Sequence, residues 1–196
     1  MPGREQETHH VTRLLGEIAE GVDSARDELI SAVYDQLRKI AQVRMNAERP
    51  GHTLQATALV NEACMRLLPG LAERNVRDRY DFYGAAAEAM RRVLLDHARK
   101  RLTEKRGGGV DMEPIGNVAD LADAQDPYTV IALNEAFEQL VADFPERAEV
   151  VRLRFFAGLT IEETAEALGV SLATTKRRWS TARAQLFKAL RDSARS

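Results

Sequence analysis

The chain has 196 residues, which is enough for one or two domains that each bury a core. Its 44% hydrophobic and 30% charged residues exclude a disordered chain, and the lack of any apolar run near ~18 residues argues against membrane insertion. The single cysteine, Cys64, excludes an internal disulfide and a cysteine-rich zinc site, and the polar first ten residues lack a signal peptide's apolar segment, so we expect a cytoplasmic protein.

Charge is strongly segregated along the chain, although the formal net charge is only −2. Residues 91–106 contain seven Lys or Arg, residues 107–127 contain five acids and no base, and residues 171–196 again contain seven Lys or Arg. A solvated helix face would explain one such run. Two basic runs, each at the end of a helical segment, favour an anionic partner such as nucleic acid.

Three apolar stripes with helical spacing follow one another in the N-terminal half. Their members are Leu29, Val33, Leu37 and Ile40; then Leu59, Ala63 and Leu67; then Phe82, Ala86, Ala89 and Val93. Pro50-Gly51 and Pro69-Gly70 end the first two predicted helices. A polar stretch, residues 73–81, precedes the third helix, which is predicted from about Phe82 to Lys105.

The glycine-rich and acidic residues 107–127 have no apolar period and are predicted to form a flexible linker. Helices are predicted to resume near Tyr128, to stop around Phe144-Pro145 and to continue over residues 146–156. Two more helices follow, divided at Gly169. The chain shows no strand pattern and no internal repeat.

The strongest local pattern lies in residues 159–190. Thr160 followed by Glu163 is a capping box, in which side chains satisfy free backbone N–H groups at a helix start. Gly169 supplies a turn in which a positive φ costs little, and Ser171 can cap the next helix. This order of cap, turn and second cap predicts a helix-turn-helix.

The second helix of this motif has two different faces. Its apolar face, predicted to lie in the core, contains Leu172, Thr175, Trp179, Ala182 and Leu186. The opposite face and its flanks combine short side chains with long donors, as a reader of the DNA major groove requires. We predict a base contact for Arg177 and phosphate contacts for Lys176, Arg178 and Arg183. A helical hairpin with a basic solvent face is the alternative.

These segments resemble the sigma-70 family. Residues 153–160 (LRFFAGLT), the helix-turn-helix and residues 174–179 (TTKRRW) resemble region 4 of its extracytoplasmic-function (ECF) branch. Residues 58–67 resemble region 2.2, and residues 82–101 resemble regions 2.3 and 2.4. The resemblance implies an all-α fold with two small helical domains: a region 2 bundle over residues 8–106 and region 4 over residues 128–192, joined by the flexible acidic linker, residues 107–127.

The resemblance implies a sigma factor that binds core RNA polymerase, reads the −35 and −10 promoter elements and helps to open the DNA. In the family, region 2.2 binds the β′ coiled coil, and region 4 meets the β flap while it reads the −35 element. Such a protein is not an enzyme and uses no metal or other cofactor. Many members are held by an anti-sigma factor, while others are controlled by tails, phosphorylation or expression level, and the sequence does not choose among these.

The resemblance also implies three sets of site residues. The −35 set contains Ser171, Ala173, Thr174, Lys176, Arg177, Arg178, Ser180, Thr181 and Arg183. The set for −10 recognition and melting contains Asn75, Arg77, Arg79, Tyr80, Arg91, Arg92, Arg99, Lys100 and Arg101. The set for core polymerase contains Leu59, Asn61, Glu62, Met65 and Arg66.

Two departures from the family pattern are visible. Thr175 stands where the recognition helix usually has a small aliphatic residue, and Arg92 stands where region 2.3 commonly has Asn. The usual Trp of that region is absent, with Phe82 and Tyr83 nearby. A subgroup of ECF-like factors shares the Met-Arg-Arg and Lys-Arg-x-Trp patterns, so these are interpreted as subgroup traits.

Two rival hypotheses remain at this point. An ordinary helix-turn-helix regulator would bind duplex DNA without polymerase, whereas a sigma factor binds weakly alone and strongly as holoenzyme. An enzyme has little support: His9-His10 are placed in a polar tail, and His52 and His97 have no partner at metal-binding spacing. The glycines at 107–109 lack the Lys-Ser/Thr of a phosphate-binding loop.

Overall fold

A computed structural model describes residues 2–44, 56–74, 76–104 and 127–193. The helices of these residues are α1 (Pro2–Ala19), α2 (Ser24–Arg44), α3 (Ala56–Leu67), α4 (Arg79–Glu104), α5 (Pro127–Asp143), α6 (Pro145–Val151), α7 (Ile161–Leu168) and α8 (Leu172–Ser193). No strand occurs among the described residues, so the predicted all-α fold is confirmed. Asn75, Pro50-Gly51, His52 and the predicted linker up to residue 126 lie outside the described residues.

The structure contains a helix, α1, before the first one that the sequence analysis predicted. Val11, Leu14 and Ile18 are almost completely buried, and α1 packs against α2. The prediction of a polar tail at His9-His10 is wrong, because both residues belong to α1. The apolar stripe that starts at Val11 anchors the helix, and the polar residues before it continue the same helix.

The three predicted apolar stripes form the core of the N-terminal half. Leu29, Val33, Leu59, Phe82 and Val93 each expose 1% of their surface or less. A short 3-10 turn follows α3 at the predicted Pro-Gly stop. Helix α3 packs against both α2 and α4, so the predicted helices face a common interior.

The C-terminal half begins with α5 and α6, which meet at the predicted break. Pro145 occupies the first turn of α6, where its missing N–H costs nothing. The continuation is not an ordinary helix: Arg152–Phe156 form a π-helical turn, in which the Ala157 N–H donates to the Arg152 carbonyl at 2.9 Å. This wider turn replaces the regular helix that the sequence predicted, and its Leu153 and Phe156 are both buried in the core.

The two halves contact each other along α4. Helix α5 and the π-helical turn both pack against α4, and one cluster of buried residues runs from the first half into the second. Phe82 and Met90 of α4 share this cluster with Phe137 and Phe156, whose ring centroids lie 4.9 Å apart. The helices that carry the predicted −10 and −35 residues therefore belong to one packed body.

Candidate nucleic-acid interface

The helix-turn-helix is built from the local contacts that its sequence predicted. The Glu163 N–H donates to the Thr160 hydroxyl at 3.1 Å, and the Thr160 N–H donates to the Glu163 carboxylate at 2.8 Å. Gly169 has φ 62° and ends α7, and the Thr174 N–H donates to the Ser171 hydroxyl at 3.1 Å. The predicted capping box, turn glycine and second cap are therefore confirmed.

Buried side chains fix the rotation of α8 about its axis. Thr175 and Ala182 are completely buried, and Leu186 nearly so. The Thr175 hydroxyl donates to the Ser171 carbonyl at 3.1 Å, which allows a polar side chain to stand at a core position. Leu172 is a correction to the predicted core face, because this first residue of α8 remains 38% exposed.

The opposite side of α8 faces outward. Its exposed or half-buried residues are Ser171, Ala173, Thr174, Lys176, Arg177, Arg178, Ser180, Thr181 and Arg183. The hydroxyls of Ser180 and Thr181 both donate to the Arg177 carbonyl at 3.0 Å, so these short side chains lie close to the helix backbone. The exposed Arg177 side chain is left as the long donor between them.

Trp179 packs against the core, as the sequence predicted, rather than standing out as a stacking surface. The guanidinium of Arg154 lies 5.4 Å from the ring centroid and that of Arg183 lies 5.7 Å from it. Burial lowers the pKa of Arg154, whose Nη1 donates to the Leu159 carbonyl at 2.5 Å. The Arg183 guanidinium therefore lies against Trp179 of the same helix, whereas the exposed Arg177 side chain extends further outward.

Helix α4 begins three residues earlier than predicted. The Asp78 carboxylate accepts from the N–H groups of Tyr80 and Asp81 at 2.8 and 2.9 Å and caps the helix. Arg79 and Tyr80, which the sequence analysis placed in the polar stretch before the helix, therefore belong to the first turn. Arg77 precedes the helix with an exposed side chain, and its N–H donates to Asp81 at 3.1 Å.

Arg79 and Tyr80 contact the C-terminal half. Arg79 is 9% exposed, and its Nη2 lies 3.8 Å from Glu163 Oε1. Its guanidinium also lies over the rings of Tyr80 and Tyr83. Burial, together with a hydrogen bond to Glu166, raises the pKa of Tyr80 to about 12. Both side chains are thus held by α7.

Arg91 is the most enclosed base of the predicted −10 set after Arg79. Its guanidinium donates to Glu88 and to Glu138 at 2.8 and 2.9 Å and also to the Asn134 amide oxygen. Burial would lower the pKa of Arg91, but the two carboxylates outweigh this and raise it. The same arginine lies 5.2 Å from the Phe137 ring centroid.

The remaining basic residues of α4 are open to solvent. Arg92, Arg99 and Lys100 are exposed, and Arg101 is half-buried. Arg92 pairs with Glu88 at 2.7 Å. Burial would raise the pKa of Glu88, but its pairs with Arg91 and Arg92 lower it, so this acid stays charged and holds both bases. The basic run is therefore divided into a covered part and an open part.

The outer face of α3 carries most of the residues predicted to bind polymerase. Met65 is 68% exposed, which is unusual for a large apolar side chain, and Asn61 and Arg66 are also exposed. Arg66 donates to Glu62 at 2.5 Å and to Asp96 of α4 at 2.6 Å. Leu59 is a correction: it is completely buried in the core and has no surface with which to touch a partner.

Other candidate chemistry is weak among the described residues. Cys64 is buried, as predicted, and burial raises the pKa of its thiol, which disfavours the reactive thiolate. No group of three potential metal ligands comes together in the described part of the chain. No helix in that part is both long and apolar enough to cross a membrane.

An all-helical body with a well-formed helix-turn-helix and a basic outer recognition face defines a DNA-binding protein of transcription. A model of the ECF sigma factor family matches residues 8–192, which is nearly the whole chain. The chain belongs to the ECF sigma factor family. It is accordingly a sigma factor that acts in transcription initiation, and this family is not a class of enzymes. No curated protein matches the chain.

Proposed function

We propose that this sigma factor binds core RNA polymerase, reads a −35 element with α8 and a −10 element with the start and outer face of α4, and helps to open the DNA. The observation that carries the proposal is the outward face of α8, where Arg177 extends between short side chains on a helix that Ser171 caps. Since polymerase is its partner, the proposal also locates the protein in the cytoplasm.

The −35 interaction is supported by the chemistry of that face. Ala173, Ser180 and Thr181 are short enough for the helix to enter the major groove closely. Arg177 offers the two parallel donors that recognise a guanine edge, while Lys176 and Arg178 at the flanks suit phosphates. Ser171 and Thr174 lie at the helix N-terminus, where the backbone favours a phosphate.

The −10 interaction is supported by the open bases of α4. Arg92 and Arg99 are seven residues apart, so they lie on the same side of the helix about 10.5 Å apart along its axis. With Lys100 and Arg101 they suit successive phosphates of a strand, which gives affinity rather than sequence information. Arg77 and Tyr80 would supply contacts to unpaired bases, because an aromatic ring can stack on an extruded base and a guanidinium can lie over its face.

The polymerase interaction is supported by the exposed face of α3. Met65 offers an adaptable apolar contact, and Asn61, Glu62 and Arg66 surround it with polar groups. An apolar centre with a polar rim is the usual composition of a protein interface. We propose these four residues as the contact with the β′ coiled coil, and the C-terminal half as the contact with the β flap.

The test is reconstitution with purified core polymerase on fragmented genomic DNA. We expect the protein to co-purify with core and to produce discrete run-off transcripts that core alone does not make. The rival helix-turn-helix regulator would instead bind duplex DNA specifically without polymerase. Specific duplex binding by the isolated chain, together with no new transcripts from the reconstituted enzyme, would overturn the proposal.

A further inference from the structure

The residues proposed for the −10 element are not equally accessible. Arg92, Arg99 and Lys100 are exposed. Arg79 and Arg91 retain only 10% and 11% side-chain exposure, because the C-terminal half lies over them. The covered bases lie in the N-terminal part of α4, which begins beside Arg77, one of the residues proposed to contact unpaired bases. Promoter DNA cannot reach them in this arrangement.

Acidic groups of the C-terminal half form ion pairs with the covered bases. Glu138 of α5 lies 2.9 Å from Arg91, and Glu163 of α7 lies 3.8 Å from Arg79. Glu166 of α7 interacts with the Tyr80 phenol and, after burial, is the main cause that raises its pKa. A carboxylate and a phosphate compete for the same guanidinium donors, because both offer a pair of anionic oxygens.

A third contact lies between these two. The guanidinium of Arg152, on the π-helical turn, occupies the position that a Cβ would take at Gly84 of α4. The missing side chain thus allows the C-terminal half to approach the helix closely. From Arg79 through Gly84 to Arg91, the contacts extend over about 18 Å along the axis of α4.

The same interface is incompletely packed. An apolar cavity lies between α4 and α5 within their contact, with Met90 and Leu94 on one side and Val130 and Leu133 on the other. Side chains that line a gap lack partner atoms and lose dispersion energy. Separating the two halves therefore costs less than separating a close-packed core of the same extent.

We infer that this arrangement is a closed, self-inhibited state of the sigma factor, in which Glu138, Glu163 and Glu166 stand in for DNA on the −10 residues. The inference rests on the proposed function. Binding to core polymerase separates the halves and uncovers Arg79, Tyr80 and Arg91. The free chain is thereby kept from unproductive binding to single-stranded nucleic acid, although its −35 face stays open.

The test opens the interface with one charge reversal and compares it with a matched one. Glu138→Arg places a base against Arg91, while Glu135→Arg makes the same charge change at another exposed position of α5. Spin labels at Ser31→Cys and Lys188→Cys, in a Cys64→Ala background, report the separation of the halves. We expect longer distances in Glu138→Arg and in wild type with added core polymerase, but not in Glu135→Arg.

The second readout is binding of a fluorescent, randomised 20-nucleotide single-stranded DNA to the full chain. If a tenth of the free chain is open, Glu138→Arg should bind it about tenfold more tightly than Glu135→Arg. Unchanged label distances would overturn the closed state, and longer distances without tighter binding would overturn the masking. Circular dichroism checks folding, and Glu166→Arg with Glu162→Arg as its control repeats the test at the other end of the interface.

These readouts need neither a promoter nor transcription. A wild-type chain that yields no transcripts with core polymerase would contradict the proposed function, while the label distances would still test the closed state. Glu138→Arg should support the same run-off transcription as wild type once core is bound.

Discussion

Arg66 joins the proposed polymerase face to the proposed −10 helix, because its Nη1 donates to Asp96 Oδ2 of α4 at 2.6 Å while its Nη2 donates to Glu62 of α3 at 2.5 Å. Both side chains of the Arg66–Asp96 pair are largely exposed, at 40% and 53%. A double-mutant cycle with alanine at both positions should therefore give a coupling of only about 0.2–1 kcal/mol. Urea unfolding measures this coupling free energy. A value far above the range would contradict the description of Arg66–Asp96 as an exposed surface pair.

Two glycines should respond in opposite ways to alanine. Gly169 has φ 62° with open space around it, so Gly169→Ala should cost about 1–2 kcal/mol of stability through backbone strain alone. Gly16 lies inside α1 and is equally uncrowded, but its φ is not positive, so Gly16→Ala should stabilise by about 0.5–1 kcal/mol. Thermal unfolding of both variants checks the signs, and equal effects would contradict the turn geometry.

Much of the helix-turn-helix could be predicted because its signals are local. The pairing of Thr160 with Glu163 and the turn at Gly169 depend on a few neighbouring residues, so the sequence alone identifies them. The apolar stripes of α2 to α4 are periodic and were equally readable. Leu172 was misplaced because one position of a stripe does not reveal how far a neighbouring helix covers it. Leu59 lay on a predicted stripe, and only the resemblance assigned it to the polymerase face.

The closed interface could not be predicted in this way. Glu138 and Arg91 are separated by 47 positions, and no local pattern indicates that they meet. The same holds for Gly84, because the absence of a side chain there matters only where the Arg152 guanidinium approaches α4. Asp78 was missed for a simpler reason: an Asp before a helix is a cap signal, but the predicted start at Phe82 lay too late for it.

Arg177 should carry sequence discrimination in the −35 element. Arg177→Ala should cost about 1–3 kcal/mol of promoter binding by the holoenzyme and relax preference at one position. Lys176→Ala removes a flanking phosphate contact and should weaken binding evenly across sequences and reduce the salt dependence. Selection of −35 sequences from a randomised pool measures both. Unchanged preference in Arg177→Ala would show that it touches only phosphate.

Met65 should be central to polymerase capture. Met65→Asp places a charge in the apolar centre of the α3 face and should weaken binding to core at least tenfold, or about 1.4 kcal/mol. Val22→Asp makes the same change at a 42% exposed apolar residue outside that face and should leave binding intact. Fluorescence titration with core polymerase compares the two. Equal affinities would remove α3 from the interface.

The Tyr80 phenol links alkaline stability to the contact between the halves. Its pKa is raised to about 12 in the folded chain, against about 10 when unfolded. Above pH 10 the unfolded state therefore binds fewer protons, so Tyr80 makes stability fall as pH rises from about 10 to 12. Absorbance titration should show that Tyr80→Phe removes an ionisation near pH 12. Tyr128→Phe must leave that step in place, and its loss there would contradict the assignment.

The central claim is that one chain, mounted on polymerase, reads a promoter at two separate elements. The most direct measurement is to map the transcript starts that the reconstituted holoenzyme makes on genomic DNA and to align the sequences upstream of them. We predict two conserved blocks at a constant spacing, near −35 and −10, with Arg177→Ala altering only the upstream block. A single block, or starts unrelated to any shared sequence, would contradict the claim.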